Sequence, residues 1–249
     1  MDISEYANLY AFEQNHWWFV ARRQFIESIF TRFAIDKGGK RAIVDIGAGT
    51  GGMIAFLNQY GKVVGIEPSI IGRNFAKKRG IPLRKGSASN TGLHSNSFDM
   101  VCFLDVLYHQ NINESEALAE AFRLLKPNGY LIISDCAFAF LYSPHDVAFQ
   151  AARRYTRNQI ESLITQAGFT QRYSTYTFFL IFPLFMAWRL LRAITAHLNP
   201  HKNVTSDVQD VSAMLNTIMI MICKIESLGY RYVSYPWGSS VVAIAQKKD

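Results

Sequence analysis

Residues 44–52 read VDIGAGTGG. Gly47, Gly49 and Gly52 satisfy a G-x-G-x-x-G spacing, which lets a strand turn tightly into a helix and brings backbone N–H groups against a ligand. A dinucleotide would put its pyrophosphate there. Asp45 argues for a different occupant. A carboxylate two residues before the first glycine repels phosphate and suits a cationic amino group, such as that of a methionine-like tail. Glu67 ends the next apolar run, where an acid can accept hydrogen bonds from both hydroxyls of a ribose. No Tyr-x-x-x-Lys pair occurs, which removes the commonest short-chain dehydrogenase chemistry.

Further along, His109 and the adjacent His145 and Asp146 are of the types that move protons. His145 and Asp146 could orient each other as a general base and its partner. Each position also has a plain alternative: His109 bonded to a loop carbonyl, Asp146 capping a helix in a Pro-His-Asp turn. Arg153-Arg154-Tyr155 could grip a phosphate or carboxylate, or merely precede a helix capped by Thr156.

The elements that must position these residues alternate. RAIVDIG, KVVGIE, IPLRKG, SFDMVCFLD and PNGYLIISD read as strands, with amphipathic helices GGMIAFLNQY, SIIGRNFAKKRG and NESEALAEAFRLLK between them. The helix RNQIESLITQAGF follows, then candidate strands TQRYSTYT and SSVVAIAQKK. Such alternation predicts a doubly wound parallel sheet with helices on both faces, and His109 and His145 then fall at its carboxyl edge. Residues 1–40 read as a helical aromatic segment, 41–176 with 236–249 as the sheet domain, and 177–235 as a helical insertion.

The chain has 249 residues, 49% hydrophobic, enough for a large core. Its formal charge of +7 is spread over scattered basic pairs rather than one stripe, so nucleic acid is not an expected partner. Cys102, Cys136 and Cys223 lack metal-ligand spacing, so no metal is expected; their odd number suggests a reducing compartment. The N-terminus has no signal-peptide pattern, which makes the expected location cytoplasmic. The apolar run within FFLIFPLFMAWRLLR, residues 178–192, is too short to span a bilayer. It suits a peripheral membrane contact, a lid or a homodimer face.

In order and spacing, VDIGAGTGG, GIEPS, SFDMV, LDVLYH and FRLLKPNGYLIIS resemble the successive motifs of class I S-adenosylmethionine-dependent methyltransferases. The resemblance implies a Rossmann-like, seven-stranded, mostly parallel sheet with an antiparallel final hairpin. It also implies S-adenosyl-L-methionine as cofactor. Asp45 and the turn Gly47, Ala48, Gly49, Gly51 would hold its amino acid tail, and Glu67 with Pro68 its ribose. Asp105 and Val106 would lie near the methyl group. Ser87 and Ala88 would meet the adenine, with Ser87 standing where such sequences often have Asp; Tyr108 replaces a common Glu.

The flanks resemble a bacterial subgroup of that family that begins HWWF…RR, continues HD…RRYT and ends near E…PFG.S. This chain has His16 to Phe19 with Arg22-Arg23, then His145-Asp146 with Arg153 to Thr156, and Glu226 before YPWGSS. It departs at Ala151 and Trp237. The N-terminal segment would fold over the cofactor, with Trp18 or a neighbouring aromatic shielding the sulfonium and Arg22 or Arg23 meeting the carboxylate. The implied activity is methyl transfer to a small-molecule, lipid-linked or saccharide acceptor, expected at oxygen. The alternatives are a protein or nucleic-acid acceptor, or a cofactor-binding protein without turnover.

Overall fold

The computed structural model describes residues 3–187 and 211–248. Two helices open the chain, α1 (Ile3–Phe12) and α2 (Trp17–Arg32). Strands and helices then alternate: β1 (Arg41–Ile46), α3 (Ile54–Leu57), β2 (Gly61–Ile66), α4 (Ile70–Lys78), β3 (Phe98–Leu104), α5 (Glu114–Leu124) and β4 (Leu125–Cys136). The short α6 (Pro144–Ala148) and α7 (Arg157–Gln166) lead to β5 (Phe169–Thr177). Helix α8 (Ala213–Gly229) and β6 (Ser240–Lys247) complete the described elements.

The sheet order is β2-β1-β3-β4-β6-β5. The first four strands are parallel, and β6 runs antiparallel between β4 and β5. The expected antiparallel last strand is therefore present, but the expected count of seven is corrected to six among the described residues. IPLRKG contributes one parallel bridge, Ile66 to Arg84, rather than a strand. Pro82 offers no N–H to a ladder, and the segment is bracketed by Gly80 and Gly86, so pairing stops at Arg84.

Alternate residues of each strand point to opposite faces, and the two cores separate accordingly. Val44, Ile46, Val101 and Phe103 pack with α5 and α7. Ile43, Met100, Cys102 and Ile244 pack with Phe25, Ile26, Ile29 and Phe30 of α2, and with Cys223 of α8. Helix α2 thus belongs to the layer covering one sheet face, and α8 lies against it, where Ser28 Oγ donates to the Ser227 carbonyl. Among the described residues no helix is long and apolar enough to cross a membrane. Of the stretch 178–192, residues 182–187 are helical, while Trp188, Arg189 and Arg192 lie outside the described residues.

Candidate active site

A cavity of about 690 Å³ opens past the carboxyl ends of β1, β2, β3 and β4. The glycine turn forms one wall. Gly47 and Gly49 both have positive φ, +79° and +56°, which a side chain would strain. A Cβ on Gly47 would also come within 2.6 Å of Val106, whereas one on Gly49 would meet only open space. The turn is fixed from behind, since Gly47 and Ala48 N–H both donate to the Ile66 carbonyl at 2.8 and 2.9 Å. Gly51 does not line the cavity; its N–H donates to Ala48, and it faces Ile81 and Ala76. Its expected ligand role becomes a structural one.

Glu67 stands beside this turn, 4% exposed. Its Oε2 accepts from Gly49 N–H at 2.9 Å, and its Oε1 from Ser69 N–H at 2.9 Å and the Tyr6 hydroxyl at 3.2 Å. A carboxylate offers about four acceptor positions, so one remains, on Oε2. A second sugar hydroxyl would have to share Oε1 with Tyr6. Burial lifts the carboxyl above its usual range, against the pull of these donors. Pro68 and Ala88 also line the cavity. Ser87 does not. Its Oγ accepts from Asn90 N–H at 3.1 Å within its own turn, so the expected adenine contact through that hydroxyl is not supported.

The charged centre is Arg22, Asp45 and Asp105. Arg22 Nη1 lies 2.5 Å from Asp105 Oδ2. Its Nη2 is buried and has no hydrogen-bond partner. Asp45 is buried at the end of β1, and burial pushes its carboxyl up to about 7 although Arg22 pulls it down. Burial raises Asp105 as well, again opposed by Arg22. An unpaired buried guanidinium N–H beside a carboxylate is complementary to a zwitterion, whose carboxylate would meet Nη2 and whose ammonium would meet Asp45. An amino acid tail fits this pair of groups.

Asp105, at φ +62°, begins the loop 105–109. The loop is pinned by Asp135, fully buried at the end of β4, which accepts from Leu107 and Tyr108 N–H at 3.2 and 3.4 Å. Tyr155 adds a hydroxyl donated to the Leu107 carbonyl at 2.9 Å. The ring of Tyr108 stacks on His109 with centroids 4.3 Å apart. Tyr108, where the resembling sequences often have Glu, therefore contributes packing to this loop.

His109 and His145 both line the cavity. His109 hydrogen-bonds the backbone at Phe149 and Gln150, and burial pushes its pKa down to about 4. It is thus a neutral imidazole at physiological pH and a weak base. His145 sits half-buried with its ring 4.5 Å from Phe149. Asp146 does not line the cavity, and its expected catalytic role is corrected. It forms a bidentate pair with Arg154 at 2.7 and 3.0 Å, and it accepts from Ser143 N–H at 2.8 Å in a capping box. Arg154 also donates to the Ala137 carbonyl, while Arg153 pairs with Glu114 at 2.5 Å. Thr156 caps α7. The RRYT segment fastens these loops together.

The N-terminal aromatics form the remaining wall. Trp17 and Trp18 line the cavity, and Trp18 stacks on Phe178 at 3.9 Å and 6°. His16 caps α2 by accepting from Trp18 N–H, and Asn216 of α8 accepts from Trp17 N–H at 2.7 Å. Arg23, the other candidate for a carboxylate, donates instead to the Glu13 and Gln14 carbonyls at 2.7 and 2.6 Å. Glu13 itself accepts from Thr50 and Arg79, tying α1 to the glycine turn. Tyr6, Glu13, Asp135 and Phe178 also shape the site, though none is among the residues expected from the sequence. Only Asp135 carried a signal, an acid closing a buried strand as Asp45, Glu67 and Asp105 do.

Residues 44–133 match the family model described as a methyltransferase domain. A probable methyltransferase of Arabidopsis thaliana, PMT19, is 32% identical over 119 residues, which is 45% of this chain. The match takes in 19% of that protein, so this chain spans about a fifth of the length of the curated relative it matches. Among solved structures, a Thermotoga maritima S-adenosylmethionine-dependent methyltransferase, described as a possible histamine N-methyltransferase, is 24% identical. It covers 93% of both chains with a TM-score of 0.59. Haemonchus contortus phosphoethanolamine N-methyltransferase 2, solved with S-adenosyl-L-methionine, is 18% identical and has a TM-score of 0.55. That likeness covers 88% of this chain and 52% of that one. Such likenesses show the fold. Residues 44–133 thus match a methyltransferase domain, and the chain shares the fold of solved S-adenosylmethionine-dependent methyltransferases.

Proposed function

We propose that the whole chain transfers a methyl group from S-adenosylmethionine to a small-molecule, lipid-linked or saccharide acceptor, at oxygen. The observation that carries this is the unpaired, buried Nη2 of Arg22 beside Asp45 in a cavity walled by the glycine turn. Residues 1–40 act in this reading as a lid and 177–235 as an insertion, of which the described residues Ile181, Leu184 and Leu215 face the acceptor end. The aromatic and arginine pattern of the flanks supports placing the chain in the bacterial HWWF…RR subgroup, acting in the cytoplasm.

Bound cofactor supplies an electrophilic methyl group on a sulfonium. Asp45 would hold the ammonium of its tail, Arg22 the carboxylate, and Glu67 the ribose. Trp18, already fixed against Phe178, would keep water from the sulfonium side. Phe149, Ile181 and Leu184 line the same cavity and would wall the acceptor. A hydroxyl acceptor must lose a proton. Asp146 is committed to Arg154 and burial holds His109 to about 4, so His145 is the side chain we assign to receive it. Isothermal titration tests the premise: one equivalent each of S-adenosylmethionine and S-adenosylhomocysteine is expected to bind. Absence of both from a folded sample would sink the reading.

The weakness of His109 as a base also favours a second reading, a protein that binds the cofactor without turnover. It predicts cofactor binding with no S-adenosylhomocysteine formed from lipid, saccharide or small hydroxylated acceptors.

A further inference from the structure

The side of α8 turned away from the fold carries five large apolar residues in one line. Met214, Ile218, Met221, Ile225 and Leu228 are each between 41% and 75% exposed. Their spacing of four, three, four and three residues sets them on one stripe, about 21 Å long at the rise of a helix. The opposite side of α8, with Cys223, Glu226 and Ser227, is buried on the α2 layer. A helix with one face in the protein and a second apolar face in water calls for another apolar neighbour.

Two further observations say what that neighbour is. First, the stripe lies beside the cavity mouth. Leu215 lies on the flank of α8 between stripe and cavity, and it both lines the cavity and is 47% exposed. Leu184 does the same at 68%. Second, between residues 211 and 237 the exposed charges are Lys224 and Arg231, both cations. The acid in that span, Glu226, is buried and accepts from Phe179 and Leu180 N–H. Exposed Arg32 stands beside Arg231, donating to its carbonyl at 3.1 Å.

We propose that this face of α8 rests on an anionic lipid bilayer, with the stripe in the headgroup–acyl boundary and the cavity mouth opening onto it. A partner helix would use the stripe alone and would leave the exposed leucines at the mouth and the exposed cations Lys224, Arg231 and Arg32 without a role. On a bilayer all three features have one. The stripe enters the boundary by about 5–10 Å, the cations meet lipid phosphates, and the leucines form a dry path inward. The surface is independent of the methyl-transfer reading. Resting on that reading, it narrows the acceptor to an amphiphile whose apolar portion passes from bilayer to cavity along Leu215 and Leu184.

Vesicle flotation of the full chain tests this, with phosphatidylcholine alone and with phosphatidylglycerol added. The expected result is strong retention on the anionic vesicles, weakened by salt, and little on the neutral ones. Ile218→Asp with Ile225→Asp should lower vesicle affinity at least about tenfold while S-adenosylmethionine affinity stays that of the wild type, which reports an intact fold. Lys224→Gln with Arg231→Gln should lower it about 25-fold at low salt, at about fivefold per cation. Wild-type protein that ignores both vesicles, or an aspartate variant that floats as well as wild type, overturns the proposal. So does a dimer in sedimentation that the aspartates dissolve when no flotation occurs, since the stripe would then belong to a second copy. Flotation by a protein that binds no S-adenosylmethionine would uphold the surface and overturn the methyltransferase reading alone.

Discussion

The cofactor wall and the acceptor wall of the cavity treat their polar groups in opposite ways. Along β1, β2 and α2, charged groups are left with capacity to spare: Arg22 keeps an unpaired N–H, Asp45 is buried, and Glu67 retains an acceptor position. Along 105–109 and 137–155 the polar groups satisfy one another. Asp135 holds two backbone N–H groups, Asp146 holds Arg154, and Tyr155 holds Leu107. The first wall is incomplete without a ligand and the second is complete without one. In the proposed function, affinity would therefore be concentrated on one side while the other supplied shape.

Breaking the second wall should produce the largest effect. Arg154→Met strands the buried Asp146 carboxylate and should cost about 3–5 kcal/mol, lowering Tm by about 10 °C in calorimetry. A melting temperature equal to wild type would mean that this wall is not held by its internal pairs. Next in size, Arg22→Ala should weaken S-adenosylmethionine about 100-fold in titration, through loss of a charge-assisted pair. Retained affinity would mean that the unpaired N–H faces no ligand.

The Asp45 carboxyl gives a pH test of intermediate size. Its pKa in the empty protein is pushed up to about 7 by burial, and pairing with an ammonium requires the ionised form. Affinity should be full above about pH 7 and fall about tenfold per unit below it, because binding must then release a proton. The empty fold has the opposite trend. A carboxyl raised from its unfolded value stabilises below that value and loses this contribution as pH rises through about 7, so ligand-induced stabilisation should grow with pH. Asp45→Asn should flatten the profile. The smallest effect belongs to Ser87→Ala, expected within about twofold of wild-type affinity because that hydroxyl serves its own turn.

Legibility in the sequence followed distance along the chain. The turn at Gly47 and Gly49 and the acids Asp45 and Glu67 lie within one strand–helix–strand unit, where spacing alone fixes their neighbourhood. The parallel order of β1 to β4 was legible for the same reason. Of the two uses the sequence offers for Asp146, the structure shows the helix cap, and a carboxylate beside a histidine gives no sign of the arginine it clamps eight residues later. Trp18 was placed over the site, but its stacking partner Phe178 stands 160 positions away in an apolar run with many equivalent phenylalanines. Glu13 had no local mark at all, as its partners Thr50 and Arg79 are brought to it only by the packing of α1. The third strand failed for a chemical reason that was visible, Pro82 in a six-residue segment.

The position of β6 between β4 and β5 sets the order in which the molecule can be made. Residues 240–247 occupy the slot that joins β5 to the sheet, with Val241, Ala243 and Ala245 fully buried there. On the ribosome, β5 and the segment that begins at Phe178 emerge with no strand to dock on. Trp18 must likewise wait for Phe178, and Trp17 for Asn216, 199 residues later. The glycine turn draws on neighbours within one strand–helix–strand unit, whereas the walls around it draw on residues far apart in the chain. Long-range closure of this kind slows folding and leaves apolar surface open in the interval.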